Sequence, residues 1–156
     1  MLQFTRKVEY GLAILAYMTR RTDGVGPVPE DILHSARSIA DATRIPFDMV
    51  TKCLQRMAKT GLCRAMQGKH GGYALSCDLH ALSLGKFVQL FSDSVAIVEC
   101  LGSDTPTCAQ HTGCCLIGPM QRLNTRFLAL LDGITLGEFL GVEHVAPSIC
   151  SAAAVP

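Results

Sequence analysis

The sequence contains no tryptophan, and aromatic residues make up only 6% of its 156 residues. Charged residues are also scarce, at 17%, whereas apolar residues reach 49%. This balance excludes a wholly disordered chain, because disordered chains lack the apolar surface that a core requires. No uninterrupted apolar run approaches the ~18 residues that a membrane-spanning helix needs. We therefore expect a globular protein without membrane contact.

A secretion signal is also missing from the N-terminal residues. Arg6, Lys7 and Glu9 interrupt the apolar residues there, and no small-residue cleavage site follows them. We therefore expect a cytoplasmic protein, in which disulfides are rare. Eight cysteines in such a chain favour metal binding or redox chemistry.

The formal net charge of +1 is the sum of two unequal halves. Residues 1–75 carry 11 Lys and Arg against 6 Asp and Glu, whereas residues 76–156 carry 3 against 7. A basic N-terminal half in a nearly neutral chain indicates one face that meets a polyanion. Chance unevenness of surface charge is the alternative interpretation.

Hydrophobic spacing predicts three helices in the first sixty residues, at about 5–20, 35–42 and 46–60. Thr5 can cap the first helix, and Pro46 suits the first turn of the third, where a missing N–H costs nothing. Gly61 can end the third helix in the left-handed conformation. The turn of about three residues between the second and third helices is typical of a helix-turn-helix motif.

A β-hairpin is predicted directly after this motif. Two short apolar runs, at residues 62–66 and 73–75, flank a polar, glycine-rich tip. A helix-turn-helix followed by a hairpin is a winged helix, so the predicted fold class is mainly α with a small β-hairpin wing.

The second half of the chain is predicted to contain a long helix with an apolar stripe. Apolar side chains recur at steps of three and four from Leu116 to Leu131, and Gly133 ends the pattern. Such a stripe either packs on its own domain or pairs with a second copy. We favour dimerisation, since helix-turn-helix modules normally read two half-sites as a homodimer.

Shorter helices are predicted on either side of that long helix. One covers residues 83–91, and the other begins at the capping box formed by Thr135 and Glu138. The predicted organisation is a winged helix-turn-helix DNA-binding domain over residues 1–80, a cysteine loop with dimerisation helices over residues 81–142, and a disordered tail over residues 143–156.

The third helix presents an outward face suited to DNA. Thr51 and Gln55 can read base edges, and the nearby cations suit phosphates. An ordinary solvated helix face is the alternative, which the adjoining turn and glycine-tipped hairpin disfavour. The candidate DNA-binding residues from the turn, helix and wing are Arg44, Asp48, Thr51, Lys52, Gln55, Arg56, Lys59, Gln67, Lys69 and His70.

Three cysteines, Cys100, Cys108 and Cys114, lie in a polar loop with gaps of seven and five residues. Zinc fingers favour pairs of cysteines with two to four residues between them, and no such pair is present here. Wider spacing in a loop fits an iron–sulfur cluster better. Soft thiolates are suitable ligands for such a cluster, and its larger core tolerates ligands that are far apart in sequence. The local candidates for a fourth ligand are Cys115 and His111.

Other interpretations of the thiols stay open. They could be functionless, or they could form disulfides in a metal-free redox switch. A cysteine-dependent enzyme would need a poised base, and neither His111 nor His70 has an evident orienting partner. We therefore expect no enzymatic activity and no small-molecule substrate. Cys53 and Cys63 are expected to be small buried hydrophobic residues.

The chain resembles the iron–sulfur winged-helix repressors typified by IscR and NsrR, and most of all the branch that regulates SUF-type cluster assembly. The resemblance covers roughly residues 1–140. It is carried by the helix around Thr5 and Glu9, by the cysteine loop, and by the segments SIADATRIPFDMVTKCLQRMAKTGL, QGKHGGYALS, LSLGKFVQLF and GITLGEFL.

The resemblance implies a cluster bound by Cys100, Cys108 and Cys114. IscR-like members take a fourth ligand from a histidine three residues after the last cysteine, but this chain has Ile117 there, so that ligand is missing. NsrR-like members use an acidic residue on the first helix of the other subunit, a position that aligns with Glu9 here. The resemblance thus implies Glu9 from the partner subunit, with His111 in reserve. A helix-stabilising role is the alternative for Glu9.

One position departs from the family pattern. Family members usually have an arginine before the wing glycine, where this chain has Gln67. Glutamine can still contact minor-groove acceptors, but it carries no charge. Operator affinity or sequence preference is therefore expected to differ from that of the relatives.

The predicted function is a homodimeric repressor that binds a double-stranded DNA operator. Its affinity is gated by an iron–sulfur cluster, of 2Fe–2S or 4Fe–4S type, and its targets are iron–sulfur cluster assembly genes. The alternative is a repressor that senses nitric oxide or redox state, including a metal-free form with thiol–disulfide switching.

Overall fold

The computed structural model describes residues 4–20, 32–68, 71–92, 95–101 and 113–142. Within them the predicted fold class is confirmed, since the described chain is mostly helical with one antiparallel hairpin. A short 3-10 turn at Glu99–Leu101 follows the fourth helix. The helices and strands are α1 (Arg6–Thr19), α2 (Ala36–Thr43), α3 (Phe47–Lys59), β1 (Cys63–Met66), β2 (Gly72–Leu75), α4 (Leu84–Phe91), α5 (Ile117–Gly133) and α6 (Leu136–Leu140).

The first three helices and α4 surround one apolar core. The stripe predicted along α1 is buried at Val8, Leu15 and Met18, and α3 buries Leu54 and Met57 against it. Burial of such a side chain stabilises the fold by roughly 1.5–3 kcal/mol. This packing fixes the outer face of α3 relative to α1.

Helix ends differ slightly from the sequence expectations. The Ser35 hydroxyl accepts a hydrogen bond from the Ser38 N–H at 3.0 Å and caps α2. Thr5 occupies the N-cap of α1, but its side chain makes no capping bond and lies 3.4 Å from the Ser92 hydroxyl instead. Pro46 is the N-cap of α3 rather than its first-turn residue. Gly61 follows α3 with a φ of +76°, as expected.

The wing is a two-stranded hairpin joined to the segment before α2. Cys63 pairs with Leu75 and Met66 with Gly72, and the backbone of His34 bridges to Tyr73 with N–O distances of 2.8 and 2.9 Å. The wing is therefore tied to the helix-turn-helix by backbone hydrogen bonds.

The end of α5 returns to the start of α4. The Leu84 N–H donates to Ile134 O, and the Leu136 N–H donates to Leu82 O, each at 2.8 Å. The Thr135 hydroxyl accepts from the Glu138 N–H at 3.1 Å, as the capping box predicts. These bonds attach the end of α5 and the start of α6 to the start of α4.

No helix among the described residues is long and apolar enough to cross a membrane. The predicted disordered tail over residues 143–156 lies outside the described residues. The proposed domain limits at residues 80 and 142 remain predictions.

Candidate nucleic-acid interface and cysteine loop

The outward face of α3 carries a cluster of long polar and cationic side chains. Lys52, Gln55, Arg56 and Lys59 are exposed and together line a shallow cleft of about 300 Å³. They share one face because residues three, four and seven apart lie side by side on a helix. We call the cleft lined by these four residues the basic cleft. All four are among the candidate DNA-binding residues predicted from the sequence.

Two other predicted α3 residues lie at its N-terminal end. Asp48 is exposed in the first turn, where a carboxylate interacts favourably with the helix dipole. Thr51 is half-buried, and its hydroxyl donates to the Phe47 carbonyl at 3.0 Å. The Thr51 oxygen can still accept a hydrogen bond from outside the helix.

The turn before α3 holds an unusual backbone conformation. Arg44 ends α2 in the left-handed region, with φ of 57°. A non-glycine residue rarely adopts this conformation, because its Cβ approaches the backbone. The exposed Arg44 lies three residues before the start of α3, close in sequence to the predicted DNA-reading face. Nearby, the Arg37 guanidinium lies 5.0 Å from the centre of the Phe47 ring.

The wing tip is described only in part. Gln67 is exposed, and Gly68 after it has a φ of +121°, which L side chains rarely adopt. Gly71 is also confined, because an added Cβ would collide with the Met66 carbonyl. Lys69 and His70 lie outside the described residues.

The cysteine loop is described at its two ends. Cys100 and Cys114 are half-buried free thiols, one at each end, and Cys115, which follows Cys114 in the sequence, is exposed. Cys108 and His111 lie outside the described residues. Among the described side chains, no three His, Cys, Asp or Glu residues come together as a metal site. The ligand set predicted from sequence therefore stays a prediction.

A side chain of α5 holds the segment that leads to Cys100. The Ile97 N–H donates to Asn124 Oδ1 at 2.9 Å. This hydrogen bond attaches the loop entrance to the middle of α5. Sequence reasoning missed Asn124, since a single polar residue on an otherwise periodic helix gives no signal of its own.

Cys53 and Cys63 belong to the hydrophobic core, as predicted. Both are buried, and burial raises the pKa of both thiols, that of Cys63 to about 11. Cys77, near Cys63, also has a pKa raised by burial. Thiols with raised pKa values form little thiolate and react slowly.

Glu9 is exposed in the first turn of α1. It is therefore accessible to a second subunit, and it also sits where a carboxylate stabilises a helix N-terminus. Lys7, one residue beyond Arg6 on the same helix, faces α3 and shares a second cleft with Lys52 and Arg56. Sequence reasoning assigned Lys7 no role.

The apolar stripe of α5 is only partly covered by its own chain. Leu116, Leu123 and Leu130 are 55%, 52% and 61% exposed, whereas Leu131 is buried. Together with half-buried Met120 and Phe127 they follow the alternating three-and-four spacing of a helix-pairing seam. Large exposed apolar side chains in such an array are typical of an interaction surface.

Comparison with known proteins places the chain among transcriptional regulators. A family model described as "Rrf2: Iron-dependent Transcriptional regulator" matches residues 4–141. The HTH-type transcriptional regulator NsrR of Shouchella clausii is 27% identical over 139 residues, which is 89% of each chain. The HTH-type transcriptional regulator IscR of Vibrio campbellii is 28% identical over 107 residues, covering 69% of this chain and 62% of its own.

A solved structure has the same fold. The structure of CymR, described as the global cysteine regulator of B. subtilis, aligns with a TM-score of 0.63 at 19% identity. The alignment covers 92% of this chain and all of the CymR chain. At this identity the likeness concerns the fold alone.

Proposed function

The chain belongs to the Rrf2 family of transcriptional regulators, and from this premise we propose that it is a homodimeric repressor whose DNA affinity is gated by an iron–sulfur cluster. The family matches are named as transcriptional regulators, so the chain is a DNA-binding regulator rather than an enzyme. The observation that carries the DNA-reading part of the proposal is the basic cleft on α3.

The residues of the basic cleft, together with Thr51, are suited to two different kinds of DNA contact. Lys52, Arg56 and Lys59 would neutralise phosphates, and Gln55 and Thr51 would contact base edges in the major groove. Asp48, Arg44 and the wing residues Gln67, Lys69 and His70 would complete the surface. Phosphate contacts hold the helix in register, and base contacts select the sequence.

Salt dependence tests this assignment. The affinity for duplex DNA should fall linearly in a log–log plot against salt concentration, with a slope of about −0.9 per phosphate neutralised. Lys52→Ala should weaken binding to all sequences and reduce the slope by about 1, whereas Lys86→Ala, on the exposed side of α4, should leave it unchanged. A slope near zero for the unaltered protein would refute the polyanion interface.

We further propose that Cys100, Cys108 and Cys114 hold the cluster together with the partner subunit's Glu9, with His111 as the reserve ligand. The donor chemistry fits, since the described thiols Cys100 and Cys114 are free and half-buried. An iron–sulfur cluster supplies iron centres whose redox state and ligation respond to a signal. A carboxylate oxygen binds iron less firmly than a thiolate, and that difference suits a ligand that must be released.

The connections of α1 give the proposed ligand a route to DNA. α1 carries Glu9 and packs on α3, which carries the basic cleft. Engagement of the partner subunit's Glu9 at the loop would therefore constrain one subunit's reading helix through the other's cysteine loop. Such a link satisfies the requirement that both sites bias one shared element. That the repressor controls genes for iron–sulfur cluster assembly is proposed from the resemblance to the regulators of SUF-type cluster assembly.

Glu9→Ala tests the proposed ligand. It should lower cluster content and speed cluster decay in absorbance measurements, while the metal-free protein keeps its folded circular dichroism spectrum. Glu138→Ala is the matched control, because it also removes a first-turn carboxylate and its dipole interaction of about 0.3–1 kcal/mol. If the two variants keep the cluster equally well, Glu9 is not a ligand.

A metal-free redox switch is the second candidate, favoured by the exposure of Cys115 beside Cys114. In this case a disulfide would replace the cluster as the signal. Anaerobic isolation separates the two candidates. Visible absorbance with stoichiometric sulfide supports the cluster, and a colourless protein with oxidisable thiols supports the switch.

A further inference from the structure

The geometry points to a binding site for a small amphipathic anion, a carboxylate on a short apolar tail, in a cleft between α1, α3 and α4. The site itself is independent of the cluster proposal. Its regulatory consequence rests on the proposed DNA-binding function, because the cleft shares two side chains with the basic cleft.

The cleft has a volume of about 220 Å³ and a divided lining. We call it the anion cleft. Its position follows from α3, where residues 49, 52, 53 and 56 lie along one edge between the buried and the exposed faces. Its lining residues are Lys7, Met49, Lys52, Cys53, Arg56 and Phe91.

The floor of the anion cleft is apolar. Cys53 and Phe91 are 3% and 5% exposed, and Met49 is half-buried. Burial raises the pKa of the Cys53 thiol, which favours its neutral form, and the charge of Lys7 acts in the opposite direction. The floor therefore offers contacts to hydrocarbon and no negative charge.

The rim of the anion cleft is cationic. Lys7, Lys52 and Arg56 are all exposed, and no Asp or Glu lines the cleft within the part of the chain that the structure describes. Three positive charges at one opening repel one another, and attraction to a bound anion would offset that repulsion. Charge-assisted hydrogen bonds from ammonium and guanidinium groups would orient a carboxylate there.

The cleft volume selects a small ligand. Sites for drug-sized molecules usually measure about 300–1,000 Å³, larger than this cleft. A short-chain carboxylic acid such as hexanoate matches the cationic rim and the apolar floor. A plain inorganic anion would leave the apolar floor uncovered.

Binding in the anion cleft would compete with DNA. Lys52 and Arg56 line both clefts, so a carboxylate that engages them draws their charges away from phosphates. The ligand would thereby act as an effector that lowers DNA affinity.

Titration of the dimeric full-length protein with carboxyl-labelled hexanoate, followed by carbon-13 NMR, tests the site without DNA. We expect saturable binding that Lys7→Gln weakens about tenfold, since it removes one charge-assisted contact. Lys59→Gln is the matched control, because it removes an equally exposed charge outside the anion cleft and should change hexanoate binding less than twofold.

Three outcomes would overturn the proposal. They are the absence of saturable binding, equal weakening by the two lysine variants, and binding of inorganic phosphate or neutral hexanol as tightly as hexanoate. Cys53→Leu adds a second check, because a larger floor side chain should reduce hexanoate binding with all three cations intact; its folding is verified by circular dichroism.

The effector role is measured separately. Sodium hexanoate should raise the apparent Kd for duplex DNA more than sodium chloride at the same ionic strength, and Lys7→Gln should abolish that difference. If hexanoate binds but the two salts act alike, the effector role is refuted. If the protein fails to bind DNA while hexanoate still saturates, the proposed function fails and the anion site stands.

Discussion

Gly85 lies at the start of α4, where an added Cβ would collide with the Asp132 carboxylate. That carboxylate accepts a hydrogen bond from the Ser83 hydroxyl at 3.2 Å. The contact brings α5 directly onto the first turn of α4, so glycine is needed here for close approach rather than for a special φ.

We expect Gly85→Ala to destabilise the fold by about 1–3 kcal/mol, as overpacking does at a close contact. Thermal unfolding measures the change. The double variant G85A/D132A should recover part of the loss, because it removes the colliding carboxylate.

Gly133→Ala is the control for this prediction. Gly133 also lies in a helix, but an added Cβ there meets nothing within 4 Å. Alanine should therefore leave stability unchanged or raise it by up to about 1 kcal/mol, by lowering the entropy of the unfolded chain. Equal destabilisation by both alanines would contradict the Asp132 contact.

The wing carries Gln67, one of the residues proposed to contact DNA. It is exposed and precedes Gly68, at a position where the family resemblance implies an arginine. A glutamine there would contact DNA without releasing a counterion.

We expect Gln67→Arg to raise affinity for duplex DNA at low salt and to steepen the log–log salt slope by about 1. Fluorescence anisotropy against labelled DNA measures both quantities. Gln89→Arg adds the same charge on the exposed side of α4 and should change neither. Identical effects of the two variants would remove Gln67 from the interface.

The second element with a testable surface is α5. Leu116, Leu123 and Leu130 recur every seven residues and are each more than half exposed, so the seam has room for a partner helix. Their exposure within one chain is the physical argument for a homodimer.

We expect Leu123→Glu to convert the dimer into a folded monomer, because a charge at the seam is buried without a partner on association. Sedimentation velocity measures the mass. Thr125→Glu, exposed on another side of the same helix, should stay dimeric. A dimeric L123E protein would place the interface elsewhere.

Sequence patterns predicted the elements well where a period and a terminal residue agreed. The buried stripe and the glycine stop set α3 to within a residue, and Thr135 capped α6 as its spacing indicated. The side chain of Thr5 faces Ser92 instead of its own helix, because α4 ends beside the start of α1. That choice depends on packing between distant residues, which local sequence does not encode.

For the candidate site, the sequence predicted which residue types are present better than which distant residues contact one another. The cations of α3 could be predicted from helical spacing. The hydrogen bond from Ile97 to Asn124 could not, because it joins residues far apart in sequence. The same holds for the cleft that Lys7 shares with Lys52. The left-handed Arg44 was also beyond prediction, since Gly, Asn and Asp are the residues that usually adopt that conformation. Such features require the folded chain.

At the scale of the whole molecule, the two halves of unequal charge coincide with the two proposed tasks, DNA binding and signal sensing. The basic half contains α1, α3 and the wing, and the acidic half contains the cysteine loop and α5. α1 packs on α3, and α4 packs on both α1 and α5, so the described elements connect the proposed sensor to the DNA-reading head. A change at one end therefore has a packed route to the other.

The most direct test isolates the full-length protein without oxygen, measures its iron, acid-labile sulfide and visible spectrum, and then compares DNA affinity before and after chelation of the iron. The account predicts a coloured protein with stoichiometric iron and sulfide, whose DNA affinity changes at least tenfold when the cluster is removed. A colourless, iron-free protein, or a cluster whose removal leaves DNA affinity unchanged, would contradict it.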